Sequence, residues 1–443
     1  MKTPRRRFLS VLGGALLSRA VRAEDDLFSG TPAPDDPLEL LYSRRLSFSG
    51  GEPLITVRVL EGRQQIVFVP KGPLTARVRS RSGEMTTAVA GGASGRWTLQ
   101  LLESSQGAGA SWVELEQLRY DDKQGLQKAR EDWVAKRVAI RIATVGEAYG
   151  IAGHVVDTRK YSVLADGDGT EAAAQQKAQA VTARGEVLAK IGARHLGDPY
   201  LLCAEQHCQV YKGVAAEQAG PDAAVEATRG EALFAAHGGQ SRLVDSVYSA
   251  VCGGFTEDND AVWSGPADPS LRGRPDFDPL APGMGPFRDG VGEALVSRFV
   301  HLDPVPSYCA ASGFANADKV RWRRTFTQRE VDEICASLGV GTVQTLAVEG
   351  RGVSGRARAL RIAGSRASAR VYGELQIRRL FRNLNSGMFV VERSGSGWIF
   401  VGGGWGHGSG MCQTGAIGRA QRGATYRDIL AWYYSGAAPV RIY

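Results

Sequence analysis

The spacing of apolar and polar residues divides the chain into a β-rich first part and a mixed second part. Apolar and polar positions alternate in ITVRVL, QQIVFV, LTARVRS, RWTLQLL and WVELEQL, which lie within residues 54–117 and are separated by Gly, Pro and Ser. A period of two predicts short strands joined by turns. We therefore expect a β-rich module over residues 41–125, preceded by a flexible Pro- and Asp-rich lead-in over residues 24–40.

Helical patterns begin after residue 170. The stretch from Glu171 to Gly192 is rich in Ala and other helix formers, and Gly192 is a natural C-cap. In TQREVDEICASL, Thr327 and Glu330 have the spacing of a capping box. Three further helices are predicted, at residues 221–237, 327–338 and 426–434.

Further strands are expected between and after these helices, at residues 243–251, within 343–400 and at the final VRIY. Residues 264–292 are rich in Gly, Pro and Asp, which predicts an irregular loop. The fold class is therefore α+β, with the N-terminal β-rich module followed by a larger mixed domain over residues 135–443. This length exceeds that of one ordinary core.

Residues 1–23 are organised as an export signal. A basic start precedes a short apolar run at 8–17, and a small-residue cleavage site at 21–23 precedes acidic residues. The apolar run is far shorter than the ~20 residues of a membrane span. PRRRFLS resembles the twin-arginine signal, which exports folded proteins, and an ordinary secretory signal is the alternative. We expect a protein of the periplasm or cell envelope without a membrane span in the mature chain.

The export signal also accounts for most of the net charge. The chain has 54 Lys and Arg against 46 Asp and Glu; removing the six basic residues of 1–23 leaves 48 against 46, a net charge of +2. This balance gives no support to nucleic-acid binding.

A glycine-rich stretch near the C-terminus carries the residues best suited to chemistry. GGGWGHGSGMCQTGAIG, residues 402–418, places Trp405 and His407 among glycines, unlike a plain linker. Glycines let a flat sugar approach backbone N–H groups, and Trp405 offers an apolar face for a pyranose ring. His407 can donate or accept a proton near neutral pH, and the alternative is a structural histidine.

Five motifs occur in an order that resembles the SpoIID/LytB family of bacterial cell-wall proteins. They are KAQAVTAR, QVYKG, AVEATRGEAL, YSAVCGGFTE and GWGHGSGMCQTGA, and the resemblance covers about residues 160–443. The family includes lytic transglycosylases and proteins that only enhance wall amidases. The resemblance implies a central groove for peptidoglycan glycan strands. To its walls we assign Gly253, Gly254, Thr256, Trp405, Gly406, Gly408 and Gln413, although Gly253, Gly254 and Thr256 are equally consistent with a simple turn.

The resemblance also implies catalytic residues. Catalytic family members carry a Glu eleven residues before the Lys of KAQAV, where this chain has Asp166. Because Asp is one methylene shorter, the acid would be displaced and weakened. Asp168 or Glu171 could take its place, and a turn of solvated acids is the alternative.

Lys177 and Arg184 match the family pattern and lie seven residues apart, two turns along one helix face. The resemblance implies that they grip the glycan and that His407 takes part in the site. The alternative for Lys177 and Arg184 is a solvated helix face.

The six cysteines allow a metal site or disulfides. The resemblance implies a structural zinc ion held by His195, Cys203 and Cys208, ligands that zinc prefers. A Cys203–Cys208 disulfide is equally consistent with an exported protein. A Cys252–Cys412 disulfide is a further hypothesis, if the two glycine-rich walls face each other.

Two functions follow as expectations. The first is lytic transglycosylase-like cleavage of MurNAc–GlcNAc strands. The second is a non-catalytic peptidoglycan-binding protein that enhances a cell-wall amidase after losing the catalytic Glu. The departure at Asp166 separates them.

Overall fold

The structure is a computed structural model of the 443-residue chain. It describes residues 173–443 apart from 192–193, 196–199, 206–207, 212–216, 238 and 264, together with segments 31–32, 47–49, 52–60, 65–68, 74–79, 85–91, 97–100 and 154–155. The export signal, Asp166, Asp168 and Glu171 lie outside the described residues.

Helices and strands both occur throughout the described chain, which confirms the α+β class. The strands are β1 (Thr31–Pro32), β2 (Ser47–Ser49), β3 (Glu52–Leu54), β4 (Val57–Arg58), β5 (Gln65–Phe68), β6 (Leu74–Arg79), β7 (Met85–Gly91), β8 (Trp97–Gln100), β9 (His154–Val155), β10 (Leu202–Cys203), β11 (Glu231–His237), β12 (Gln240–Leu243), β13 (Tyr248–Ser249), β14 (Arg321–Thr327), β15 (Val343–Arg351), β16 (Ala357–Gly364), β17 (Ser368–Tyr372), β18 (Phe389–Ser394), β19 (Gly397–Gly403), β20 (Met411–Cys412) and β21 (Ala437–Arg441). The α-helices are α1 (Ala173–Lys190), α2 (Ala219–Ala227), α3 (Asn259–Val262), α4 (Glu293–Val300), α5 (Tyr308–Ala311), α6 (Ala317–Val320), α7 (Gln328–Ile334), α8 (Glu374–Leu380), α9 (Gln413–Ala420) and α10 (Tyr426–Tyr433). No helix among the described residues combines the length and apolar character needed to cross a bilayer.

The N-terminal strands form small antiparallel pairs, with β2 beside β3, β5 beside β8 and β6 beside β7. Strand β1 pairs in parallel with β2. Strand β4 has a distant partner, because it pairs in parallel with β10, about 145 residues further along the chain. Ile55 packs into a small core with Val187, Leu188 and Leu202. The N-terminal region therefore contacts the larger domain directly.

Two hydrophobic cores organise the larger domain. The first joins α1 to the segments around β13, α4, β20 and α10, and includes Phe255, Phe277, Phe299 and Tyr433. The second lies within residues 322–400, where sheets β14–β19–β18 and β15–β16–β17 pack with α7 and α8. Because the two cores meet at β19, the glycine-rich loop that follows this strand leaves from their junction.

The predicted helix at 221–237 is only partly correct. Helix α2 ends at Ala227, and Gly230 then adopts a left-handed φ of 71°. Residues 231–237 instead form β11, the central strand between β12 and β21. Pairing on both edges outweighs the helix propensity of EALFAAH, because local propensity is a weak prior.

Other predictions differ in detail. The strand expected at 243–251 is reduced to the end of β12 and the short β13. Within 343–400, the segment predicted as strand ARVYGEL ends at Tyr372 and continues into helix α8. The irregular loop at 264–292 is confirmed, apart from one turn of 3-10 helix at Gly285–Phe287.

The capping box of α7 is confirmed. Thr327 accepts a hydrogen bond from the Glu330 backbone N–H, and the Glu330 carboxylate accepts one from the Thr327 backbone. Thr327→Ala should lower the free energy of unfolding by about 1 kcal/mol, measured by urea denaturation, because it removes the acceptor at the helix N-terminus. Thr327→Ser keeps the hydroxyl and should retain most of the stability. Equal stability of the two variants would contradict this role.

Candidate functional site

The two glycine-rich segments meet in the structure. Strand β13 pairs in parallel with β20, so that Tyr248 lies opposite Met411. Just beyond this pair, Val251 and Trp405 exchange two backbone hydrogen bonds, with N···O distances of 3.2 and 2.7 Å. The segment around YSAVCGGFTE therefore lies directly beside the loop that carries Trp405 and His407.

Close packing of these segments explains several of the glycines. A Cβ atom on Gly253 would lie 2.7 Å from the backbone nitrogen of Gly404. A Cβ atom on Gly408 would lie 2.3 Å from the guanidinium carbon of Arg356. At these positions glycine is needed for contact between protein segments, whatever ligand the surface binds.

The structure corrects the proposed second wall of the groove. Gly253 and Gly254 are buried in a turn, and the Thr256 side chain is also buried. The Thr256 hydroxyl accepts a hydrogen bond from the Arg274 backbone N–H at 2.9 Å and donates to its carbonyl at 3.2 Å. These three residues therefore hold the turn together and do not present polar groups to a sugar.

Helix α1, which carries the KAQAVTAR motif, contacts the glycine-rich loop. The Gln413 side-chain amide donates to Gln179 Oε1 at 3.2 Å, across 234 residues of sequence. Tyr248 makes a second connection, because its phenol bonds to Glu186 of α1 while its backbone bonds to His407. The two distant motifs therefore meet, as the family resemblance implied.

His407 is held as a neutral imidazole. Burial lowers its pKa to about 3, assisted by the positive charges of Arg356 and Arg378. Its Nδ1 atom accepts a hydrogen bond from the Ser409 backbone N–H at 3.1 Å. Near neutral pH the ring is therefore a neutral imidazole that bonds to Ser409 and to the Tyr248 backbone, and it is not an imidazolium that donates a proton.

Two tryptophans with accessible rings lie close to His407. Trp263 is close in space, and Trp405 is close in sequence. Trp405 is 40% exposed, and the Lys319 ammonium lies 5.3 Å from its ring centre. Trp263 is 42% exposed and its ring lies 4.9 Å from the His407 ring. We call Trp263, Trp405 and His407 the tryptophan surface. Sequence reasoning missed Trp263, whose only local signal is an aromatic residue beside a Gly- and Pro-rich loop.

The predicted catalytic residues of α1 have different surroundings. Lys177 is partly exposed on the helix, as a substrate contact requires. Arg184 instead donates through Nη1 to the carbonyl oxygens of Thr228 and Glu231, at 3.0 and 2.6 Å. These hydrogen bonds tie α1 to the start of β11, and the assignment of Arg184 as a glycan-gripping residue stays a prediction. Asp166 lies outside the described residues.

His195, Cys203 and Cys208 come together as the sequence predicts. Their ligand atoms lie within 4.8 Å of one another, and His195 Nε2 is 3.1 Å from Cys208 Sγ. Burial raises the pKa of the Cys208 thiol, but the hydrogen bond from His195 and contacts with Cys203 outweigh it and lower the pKa to about 7. One imidazole and two thiols fit a structural zinc ion.

Cys252 and Cys412 are also close, but they are not joined. The Cys252 backbone N–H donates to Cys412 Sγ at 3.1 Å. The six cysteines, all within the described residues, form no disulfide. Cys309 and Asp276 complete a buried group with this pair, and no sequence motif links these four residues.

Two family models match parts of the chain. Residues 161–234 match the Stage II sporulation protein family, SpoIID. Residues 257–410, which include most of the second core and the tryptophan surface, match a domain of unknown function, DUF8618. The resemblance drawn from the five motifs is thereby confirmed.

Two curated relatives are similar to part of this chain. An uncharacterised protein of Brachyspira hyodysenteriae is 27% identical over 263 residues, which are 59% of this chain and 59% of that protein. The amidase enhancer of Bacillus subtilis (strain 168) is 25% identical over 243 residues, which are 52% of this chain and 33% of that protein. The chain therefore spans less than two-thirds of the length of either relative.

Proposed function

We propose that this protein is exported to the cell envelope, where it binds peptidoglycan glycan strands and cleaves them by a lytic transglycosylase-like reaction. The observation that carries the proposal is the meeting of α1 with the glycine-rich loop beside the tryptophan surface. The accessible tryptophan rings offer apolar faces for pyranose rings.

The reaction needs one acid that also acts as a base. In the proposed step, Asp166 protonates the glycosidic oxygen, and the 6-hydroxyl of MurNAc attacks its own anomeric carbon. The glycosidic bond breaks, a 1,6-anhydro ring forms, and the proton of the attacking hydroxyl returns to the carboxylate. Lys177, on the exposed face of α1, would bind the strand.

A zinc ion would have a supporting role in this proposal. His195, Cys203 and Cys208 would hold it just after α1, and the ion would supply structural cross-linking of that segment. Their positions fix the end of the helix that carries Lys177.

A second candidate function is enhancement of a cell-wall amidase without cleavage. It is favoured by the relative named amidase enhancer and by Asp166, which replaces the expected Glu. Such a protein would keep the tryptophan surface as a binding site for the glycan and would need no acid.

The two functions separate in one experiment. Purified protein is incubated with peptide-free glycan strands and analysed by mass spectrometry for 1,6-anhydro-MurNAc ends. Cleavage by Asp166 predicts product that disappears in Asp166→Asn and persists in Asp168→Asn and Glu171→Gln, which test the two alternative acids. Binding without product, together with faster release by an added cell-wall amidase, would replace cleavage by the enhancer function.

Glycan binding itself is tested at the tryptophan surface. Trp405→Ala and Trp263→Ala should each weaken binding to glycan strands about tenfold, because each removes an apolar face from the contact. Tyr372→Ala removes an exposed aromatic residue from β17 and should leave the affinity unchanged. Co-sedimentation with purified peptidoglycan measures the effect, and equal affinities for all three variants would exclude this surface.

A further inference from the structure

We propose that Cys252, Cys309, Cys412 and Asp276 form a second, fully buried site for a structural zinc ion. The four ligand atoms lie within 4.8 Å of one another, and all four residues are 0% exposed. These residues come from the segment after β13, the irregular loop at 264–292, helix α5 and the end of β20. The site is separate from His195, Cys203 and Cys208 and does not depend on the proposed function.

The spacing of the atoms fits tetrahedral zinc better than a disulfide. With Zn–S bonds of about 2.3 Å, two sulfur ligands of a tetrahedral ion lie about 3.8 Å apart. Cys252 Sγ lies 3.9 Å from Cys309 Sγ and 3.2 Å from Asp276 Oδ2. A disulfide requires an S–S distance of about 2.05 Å. The cluster is therefore arranged around a common centre.

The carboxylate of Asp276 is oriented for this role. Its Oδ1 atom accepts hydrogen bonds from the Tyr433 hydroxyl at 2.7 Å and from Arg419 Nη2 at 3.1 Å. Its Oδ2 atom faces Cys252 Sγ. Groups that hold one carboxylate oxygen and direct the other to the metal are typical of the outer shell of a metal site.

Hydrogen-bond donors also point at two of the sulfur atoms. Cys412 Sγ accepts from the backbone N–H groups of Cys252 and Gly415, at 3.1 and 3.3 Å. Cys252 Sγ accepts from the Gly254 N–H at 3.4 Å. Cys412 is moreover the N-cap residue of α9, where the helix dipole favours a negative charge. Hydrogen-bond donors that hold a sulfur ligand in place are typical of the outer shell of a metal site.

Three arginines supply positive charge around the proposed site. Three thiolates, one carboxylate and Zn²⁺ together carry a net charge of −2. Arg419 pairs with Asp276, while Arg321 and Arg356 donate to the carbonyl oxygens of Gly253 and Cys252, at 2.8 and 3.1 Å. A buried charge is tolerated in a protein interior only when it is paired with a group of opposite charge. These arginines supply the pairing.

A bound ion would cross-link the framework of the candidate site. Cys252 lies one residue beyond Val251, which pairs with Trp405, and Cys412 follows the loop that carries His407. The ion would join these segments to α5 and to the long irregular loop. Its removal should therefore loosen the tryptophan surface as well as the core.

Zinc content is measured by inductively coupled plasma mass spectrometry on the full chain purified with zinc in the growth medium. Cys309→Ser should lose one equivalent of zinc relative to the unsubstituted protein. Cys335→Ser removes a buried cysteine outside both clusters and should keep the full content. Equal zinc content in Cys309→Ser and the unsubstituted protein would overturn the proposal.

A second measurement does not require Cys309→Ser to fold. Cobalt(II) is loaded into Cys203→Ser/Cys208→Ser, which retains only the proposed site. We expect the absorption of a tetrahedral ion with sulfur-to-cobalt charge-transfer bands. A protein that is folded by circular dichroism but lacks these bands, or an intact mass that shows a disulfide among Cys252, Cys309 and Cys412, would overturn the site.

Discussion

Replacing Arg356 with leucine should lower the free energy of unfolding by about 3–5 kcal/mol, because the change removes one partner from a buried charged network. Arg356 donates to the carbonyl oxygens of Cys252 and Phe255 and to Ser354 Oγ, at 3.1, 3.3 and 2.8 Å. Ser354 in turn donates to the buried carboxylate of Glu257 at 2.6 Å. Leucine would leave these acceptors without partners in the protein interior.

Urea denaturation at neutral pH measures the free energy of unfolding of the unsubstituted protein and of Arg356→Leu. Arg329→Leu is the matched control, because the Arg329 side chain is 88% exposed and its ion pair with Glu333 lies at the surface. Burial raises the pKa of Glu257, and Ser354 and Arg356 oppose that shift. Adding Glu257→Gln to Arg356→Leu should therefore recover part of the loss. If Arg356→Leu and Arg329→Leu were equally stable, the network would have no structural role.

Replacing Gly253 with alanine should also be severe, with a loss of about 2–5 kcal/mol. Its φ of 79° is left-handed, which costs an L-residue about 1–2 kcal/mol. The new Cβ would in addition lie 2.7 Å from the Gly404 backbone nitrogen, and overpacking of this kind costs about 1–3 kcal/mol. Neither backbone segment can move aside without breaking the pairing of Val251 with Trp405.

Gly239→Ala separates the two contributions to this loss. Gly239 has a similar φ of 81°, but apart from its chain neighbours no atom of the described residues lies within 4 Å of the Cβ it would gain. Its loss should therefore be limited to about 1–2 kcal/mol of backbone strain. Thermal denaturation of both variants gives the comparison. A loss in Gly253→Ala no greater than in Gly239→Ala would show that the two segments separate easily.

The parts of the fold that the sequence predicts are those with a strong local signal. The Ala-rich run forms α1, and Thr327 and Glu330 form the predicted capping box. The helix predicted at residues 426–434 is α10, in which Tyr433 is buried. The helix predicted at residues 231–237 is wrong, because pairing with β12 and with β21 decides the conformation of this segment. Strand β21 lies about 200 residues further along the chain. Local propensity carries no information about such partners.

The candidate site, like the fold, could be predicted only in part from the sequence. The family motifs predicted that α1 and the glycine-rich loop would meet, and the contacts of Gln413 and Tyr248 with α1 agree. The contacts of Arg184 and Thr256 could not be read from sequence, because each side chain bonds to a distant backbone group. Trp263 and Asp276 lie in an irregular loop region, where no period indicates which way a side chain points.

The pairing of β21 with β11 also bears on the timing of folding. Residues 437–441 pair with residues 231–235, so the three-stranded sheet lacks one edge until β21 has left the ribosome. Helix α10, just before β21, adds Ile429, Leu430 and Tyr433 to the first core. Contacts between residues this far apart in sequence form late and slowly. The domain is therefore expected to mature only after β21 has been synthesised, and a chain truncated before β21 would expose an apolar core to proteases.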